Sequence, residues 1–132
     1  MAKLIVIENL TLDGVLQAPG RPDEDTRDGF AHGGWAVPYG DAVKGQAMAG
    51  GMAAGSSGAA ALLLGRRTYE DFAGFWPTQR DNPFTAVLDA MQKYVVSTTE
   101  ADPLPWQNST LVPGDARTSV AALKQEVEQD LV

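Results

Sequence analysis

Apolar residues come along this chain in short runs of strand length, separated by polar, glycine-rich and proline-rich stretches. Lys3 to Leu10 opens with Leu4, Ile5, Val6 and Ile7, a near-continuous apolar run of the kind found in a central strand buried on both faces. Thr11 to Leu16 follows, with Asp13-Gly14 as a turn signal, and Pro19 to Gly40 reads as one long loop. Asp41 stands where it can cap a helix reaching to about Ser57, with Val43, Ala47, Met48 and Met52 at apolar positions. Gly50, Gly51 and Gly55 lower the helix propensity there and permit close packing. Ala61 to Leu64 is the next strand, closed by Gly65, and from Thr68, a cap candidate, the pattern turns helical. Phe84 to Gln92 forms a short helix, Lys93 to Thr98 a clear strand, Asn108 to Pro113 a weaker one, and Thr118 to Gln129 a helix. In that last helix Val120, Leu123, Lys124 and Val127 fall at helical spacing.

Strands alternating with helices predict an α/β fold with a mostly parallel sheet flanked by helices. Each crossover helix in such a sheet feeds a following parallel strand. The last helix is followed only by Leu131 and Val132, so residues 1–132 are expected to be a single domain lacking its C-terminal strands.

The stretch with most chemistry is Leu62-Leu63-Leu64-Gly65-Arg66-Arg67-Thr68-Tyr69-Glu70. A helix N-terminus already carries about half a positive charge, so two arginines there are poorly placed unless an anion joins them. Free backbone N–H groups and the helix dipole favour such an anion, with a nucleotide phosphate as the natural guest. The competing reading is that Arg66 and Arg67 pair with Glu70 and Asp71 four residues ahead, each pair contributing about 0.2–0.5 kcal/mol. The glycine-rich run Gly50 to Gly58 is not a P-loop, because it follows a helix, precedes a strand and is not followed by Lys-Ser/Thr.

In the long loop, Asp23-Glu24-Asp25 reads as a solvated face. Trp35 and Tyr39, set among glycines and a proline, read either as a binding edge or, for Trp35, as a hydrophobic plug on the sheet. His32 is the only histidine, which leaves no His cluster for zinc, and there is no cysteine, hence no disulfide, thiolate nucleophile or Cys-based metal site. No metal is expected. Absence of cysteine fits a reducing cytoplasm.

The net charge of −7 argues against nonspecific nucleic-acid binding, although not against a dinucleotide, which needs only a local basic spot. The uncharged stretch from Ala47 to Gly65 is rich in Gly, Ala and Ser rather than predominantly apolar, which excludes a membrane span there. The remaining composition, 44% hydrophobic and 20% charged, is that of an ordinary soluble globule.

Three motifs in order resemble the dihydrofolate-reductase-like family, and within it the reductase domain of riboflavin biosynthesis (C-terminal domain type). Leu63 to Glu70 resembles the family's Gly-Arg-x-Thr segment. Leu12-Asp13-Gly14 after the first strand resembles its Leu-Asp-Gly, and Lys93 to Thr99 its strand ending at the adenine side of the cofactor. The resemblance implies NADPH as hydride donor and a small heterocyclic or carbonyl-type substrate. It places Gly65, Arg66, Arg67 and Thr68 at cofactor phosphates, with an arginine on the 2′-phosphate, and Ser97 and Thr98 near the adenosine. It places Asn9 next to the nicotinamide, Asp13 at the adjoining turn, and Leu16 at the border of the reacting ring. It further implies a substrate cleft lined by Trp35 and Tyr39, with Asp41 as proton donor or hydrogen-bond partner.

Two departures stand out. The first long helix offers no inward acid for a pterin except Asp41 at its start, and the family's glycine-rich turn over the pyrophosphate has no counterpart here. A non-catalytic nucleotide-binding or oligomerisation module with the same fold is therefore the alternative function, and family analogy extends to a homodimer.

Overall fold

The structure is a computed structural model that describes residues 1–40, 60–99 and 102–132. The chain divides into two compact units, Met1–Ile5 with Met52–Val132, and Val6–Gly51. The expected helix from Asp41 to Ser57 and the Gly50–Gly58 run lie outside the described residues.

The first unit is an α/β structure. Strand β1 (Leu62–Gly65) runs straight into helix α1 (Arg66–Phe75), then a 3-10 turn (Trp76–Thr78), helix α2 (Pro83–Ala90), β2 (Lys93–Val96), β3 (Ser109–Val112) and helix α3 (Ala116–Glu126). The strands lie in the order β1-β2-β3, all parallel. Leu62 is opposite Lys93 and Lys93 opposite Ser109 at one end, Gly65 opposite Val96 and Val96 opposite Val112 at the other. The C-terminal ends of all three strands are therefore level.

Side chains alternate across the strands and give the sheet two cores. Leu62, Leu64 and Val95 pack with Tyr69, Leu88 and Trp106 on the side of α1 and α2. Leu63, Tyr94 and Val112 pack with Ala61, Leu123, Val127 and Leu131 on the side of α3. Burial on both faces is what parallel strands require.

Past the free edge of β1, Leu131 bridges in parallel to both Ala61 and Leu4. Val132 donates its N–H to Ala61 O at 2.9 Å and accepts from Leu63 N at 2.7 Å, while Ile5 donates to Leu131 O at 2.7 Å. The apolar residues after the last helix thus enter the sheet, as the crossover rule demands. The expected strand over Lys3–Leu10 is corrected: only Leu4 bridges, and Val6 is 80% exposed. A strand forms where a neighbour supplies amides and carbonyls, and Leu131 supplies them only to Lys3 and Ile5.

Among the described residues, side-chain caps set the starts of two of the three α-helices. Asn82 accepts from Phe84 N at 3.0 Å ahead of Pro83, and Asp115 accepts from Thr118 N at 3.0 Å. Asp115 is why α3 begins at Ala116 and not at Thr118. Among the described residues no helix is long and apolar enough to cross a membrane.

A buried polar cluster fastens the α1/α2 face to the loop before β3. Tyr69, 1% exposed, accepts the N–H of Trp106 on its hydroxyl at 2.9 Å. The Trp106 indole donates to Asp89 Oδ1 at 2.6 Å. Lys93, fully buried, directs its ammonium at the carbonyls of Met91 (2.8 Å), Gln107 (3.1 Å) and Asp89 (3.4 Å), with the Trp106 ring centroid 4.3 Å away. Burial pushes the Lys93 ammonium down to about 8, against the opposing pull of the Asp89 carboxylate.

Two outcomes follow from this cluster. Tyr69→Phe leaves the Trp106 N–H buried without its acceptor and should cost about 1–3 kcal/mol in urea unfolding, with the secondary structure retained. Lys93 discharges in the fold at a lower pH than in the unfolded chain, so the unfolded state binds more protons between about pH 8 and the ordinary lysine value. Wild-type stability relative to Lys93→Met should therefore rise as pH goes from 8 to 10, as followed by urea midpoints across that range.

Candidate functional site

The level C-terminal ends of the strands open into a cleft of about 470 Å³ lined by Arg66, Val96, Ser97, Thr98, Thr99, Gly114, Asp115 and Ala116. Both α1 and α3 begin there, so each contributes its N-terminal turn to the same end of the sheet. Clefts outside the carboxyl ends of parallel strands are where open α/β sheets take their ligands.

Each wall has a local cause. Gly65 joins β1 to α1 without an intervening turn, with φ −76° and ψ 161°, backbone that any residue can adopt. The glycine is thus not required by the turn, and a Cβ built on it meets nothing within 4 Å. Because the strand abuts the helix, the arginines are its first two residues and Thr68 is its third, exposed and inside the helix. This corrects the expectation that Thr68 caps it. The residue in the cap position is Gly65, which has no side chain to offer, and α1 carries no side-chain cap. Arg66 makes the expected pair with Glu70, Nη1 to Oε1 at 2.8 Å and to Oε2 at 3.0 Å, both side chains being more than a third exposed. Such a pair is worth about 0.2–0.5 kcal/mol and yields readily to a stronger anion. Arg67 is exposed.

On the second wall β2 ends at Val96 and Ser97 turns the chain, its N–H reaching Val112 O at 3.4 Å and its Oγ accepting from Thr99 N at 3.1 Å. Ser97 is buried, whereas Thr98 and Thr99 are exposed. The third wall is the β3–α3 turn, where Gly114 sits at φ +90°, a conformation that favours glycine. The Asp115 carboxyl is held below its ordinary value, first by the Thr118 N–H and then by the Thr118 hydroxyl. The assembled surface therefore presents a guanidinium, three hydroxyls, an uncapped helix start and one carboxylate. Chemically, that set can offer charge-assisted and neutral hydrogen bonds to an anionic, hydroxyl-bearing ligand.

Of the residues singled out from the sequence, Arg66, Ser97 and Thr98 line this cleft; Gly65, Arg67 and Thr68 adjoin Arg66 in the chain but not in the lining. Thr99, Gly114, Asp115 and Ala116 were missed. Their signal was the Pro113-Gly114-Asp115 turn, which joins a strand to a helix at the same end of the sheet as Gly65.

The other unit holds the remaining candidates. Asp13 is exposed and accepts from the Thr11 hydroxyl at 2.6 Å, which holds its carboxyl below the usual range, and Gly14 follows at φ +91° in the predicted turn. Asn9 is half-buried, its N–H reaching Glu8 Oε1 at 3.2 Å, and Leu16 is exposed. Trp35 is half-buried and donates its indole N–H to Gln17 O at 2.9 Å, while Tyr39 ends a 3-10 turn (Val37–Tyr39) and is 75% exposed. The acidic run is more structured than a plain solvated face: Glu24 Oε2 accepts from Arg21 N at 3.0 Å and also from Gly20 N, and Asp25 chelates the Arg27 guanidinium. Asp41 lies outside the described residues.

No family model matches the chain, and no curated protein sequence matches it.

The missing cap gives a direct check on the α1 wall. Gly65→Ser places a hydroxyl where it can accept from the first-turn N–H groups. The variant should keep or slightly raise the melting temperature while weakening binding of pyrophosphate, measured by calorimetry, because the added oxygen competes for the same donors.

Proposed function

We propose that this protein is an NADPH-dependent oxidoreductase of the dihydrofolate-reductase-like type, related to the riboflavin-biosynthesis reductases, that passes hydride to a small heterocyclic or carbonyl-type substrate. The observation that carries the reading is the meeting of two motifs distant in sequence. Arg66 from the Gly-Arg-Arg-Thr segment and Ser97-Thr98 from the end of β2 line one cleft at the carboxyl ends of parallel strands. Those are the residues that the resemblance assigns to the phosphate and adenosine parts of the cofactor.

The residues present fit a nucleotide. Arg66 offers a planar fork suited to phosphate oxygens, and the uncapped start of α1 offers backbone donors beside it. Ser97, Thr98 and Thr99 offer hydroxyls for ribose and phosphate oxygens. Gly65, with open space where a Cβ would stand, lets a ligand approach the backbone closely. When bound, the nicotinamide supplies the hydride chemistry, and the chain's task is to bind, orient and exclude water. Trp35 and Tyr39 are proposed for the substrate and Asp41 for the proton.

The groups lining the cleft account for binding and not by themselves for turnover, which keeps a non-catalytic nucleotide-binding module as the second reading. Oxidation of NADPH in the presence of a panel of pterins, flavin precursors and quinones separates the two: steady oxidation with any of them supports the enzyme, and binding without oxidation supports the module. The combined Arg66→Ala and Arg67→Ala variant should lose about tenfold or more in NADPH affinity and much less in NADH affinity, measured by fluorescence titration. Equal losses for the two nucleotides would remove the 2′-phosphate from the assignment.

A further inference from the structure

Asn108 fastens two elements at once. Its Nδ2 donates to Asp89 O at 2.9 Å and to Ala90 O at 3.5 Å, carbonyls of the last turn of α2 that have no partner inside the helix. Its own carbonyl accepts the Lys93 N–H at 2.7 Å, the first rung between β2 and β3. The residue is exposed, and its φ of +56° lies in the left-handed region that asparagine tolerates.

The peptide bond that follows sets Asn108 apart from Asn9 and Asn82. Asn82 precedes Pro83, whose nitrogen has no hydrogen to give up, and Asn9 precedes the bulky Leu10. Asn108 precedes Ser109, a small residue whose nitrogen can approach the side-chain carbon. A trans peptide sets its C=O and N–H on opposite sides. With the Asn108 carbonyl turned to β2, the Ser109 N–H points to the outer edge of β3, an edge strand of the sheet, and meets no acceptor among the described residues. The two bonds from Asn108 Nδ2 are neutral and exposed, so they restrain the side chain by no more than about tenfold.

From this juxtaposition we infer that Asn108 is a site of spontaneous deamidation, and that its conversion unfastens the start of β3 from the end of α2. The Ser109 nitrogen bonds to Asn108 Cγ, the Cγ–Nδ2 bond breaks, and ammonia leaves with the proton that the Ser109 nitrogen gives up. Water then opens the five-membered imide, at one carbonyl to aspartate and at the other to isoaspartate. One water enters, one ammonia leaves, and no oxidant or cofactor takes part. Either product sets a carboxylate, which only accepts, where Asp89 O and Ala90 O need a donor. The nearby Lys93 ammonium offers no relief, because its three hydrogens are directed at Met91 O, Gln107 O and Asp89 O. Isoaspartate also routes the main chain through Cβ and Cγ, which displaces the carbonyl that receives the Lys93 N–H. None of this depends on a ligand in the cleft.

The test is incubation of the 132-residue protein at mildly alkaline pH, with peptide mapping by mass spectrometry and urea midpoints taken over time. The amide-to-acid mass gain should appear at Asn108 well before Asn9 or Asn82, at no less than about a tenth of its rate in urea-unfolded chain. The urea midpoint should fall in step with the conversion. Asn108→Asp should start with a folding equilibrium constant about five- to tenfold lower and show no such drift. Ser109→Val supplies an independent arm: the Ser109 hydroxyl is buried without a partner, so its removal should leave the fold intact, while the branched side chain slows conversion at Asn108 severalfold. Conversion at Asn108 no faster than at Asn9, or undetectable in the folded chain while the unfolded chain converts, overturns the site. Conversion that leaves the urea midpoint unchanged overturns the unfastening.

Discussion

The buried ammonium of Lys93 is the fixed point of the sheet. It stands at the first residue of β2, where three backbone carbonyls and the face of Trp106 enclose it. One of those carbonyls belongs to α2, one to the turn after it and one to the loop before β3, so a single cation ties together the segments on either side of β2. A buried charge is costly unless it is hydrogen-bonded, and the cost of breaking this cage falls on every segment that contributes to it. Trp106 extends the tie to Asp89 and to Tyr69 of α1. With the amino-terminal end of β2 held in this way, its register against β1 and β3 is set, and so is the position of Ser97 at the other end. A buried polar cage gathers at one end of the strands, and hydroxyl side chains and helix starts at the other.

That division of labour accounts for the cleft's chemistry. An acidic chain with a net charge of −7 can still offer an anion a local basic spot, because a nearby cation acts over a few ångströms whatever the net charge of the whole chain. Arg66 supplies the cation, and Glu70 tempers it. The uncapped start of α1 adds donors that carry no salt bridge of their own. The surface so formed is graded rather than strongly basic, which favours recognition of a ligand by several hydrogen bonds over capture of any phosphate.

Much of the first unit was legible in the sequence, and the failures have physical causes. β1, β2 and β3 stood out because apolar, β-branched or aromatic residues dominate short runs, and all three lie where the pattern placed them to within about two residues. The run from Lys3 to Leu10 has the same composition but pairs only at Leu4, because strand formation depends on a partner that local pattern does not reveal. Thr68 looked like a cap because its residue type prefers that position, yet the direct junction of β1 with α1 gave the position to Gly65. Lys93 read as the polar start of a strand; its burial depends on Trp106 and Gln107, which arrive only when β3 docks. Tyr69 sat within the most informative motif, but its bond to Trp106 spans 37 residues and has no local signature. For the cleft, the motif residues Arg66, Ser97 and Thr98 were found, whereas Asp115 was hidden in a turn that looked merely structural.

The central claim is that a dinucleotide occupies the carboxyl ends of β1, β2 and β3. Backbone amide chemical shifts recorded during a titration with NADPH test this most directly, because they report where the ligand lies without requiring a substrate. The account predicts saturable shifts concentrated at Gly65 to Thr68, Ser97 to Thr99 and Gly114 to Ala116, with the amides around Lys93 and Trp106 unmoved. Saturable shifts confined to other segments, or no shifts at millimolar NADPH, would contradict it.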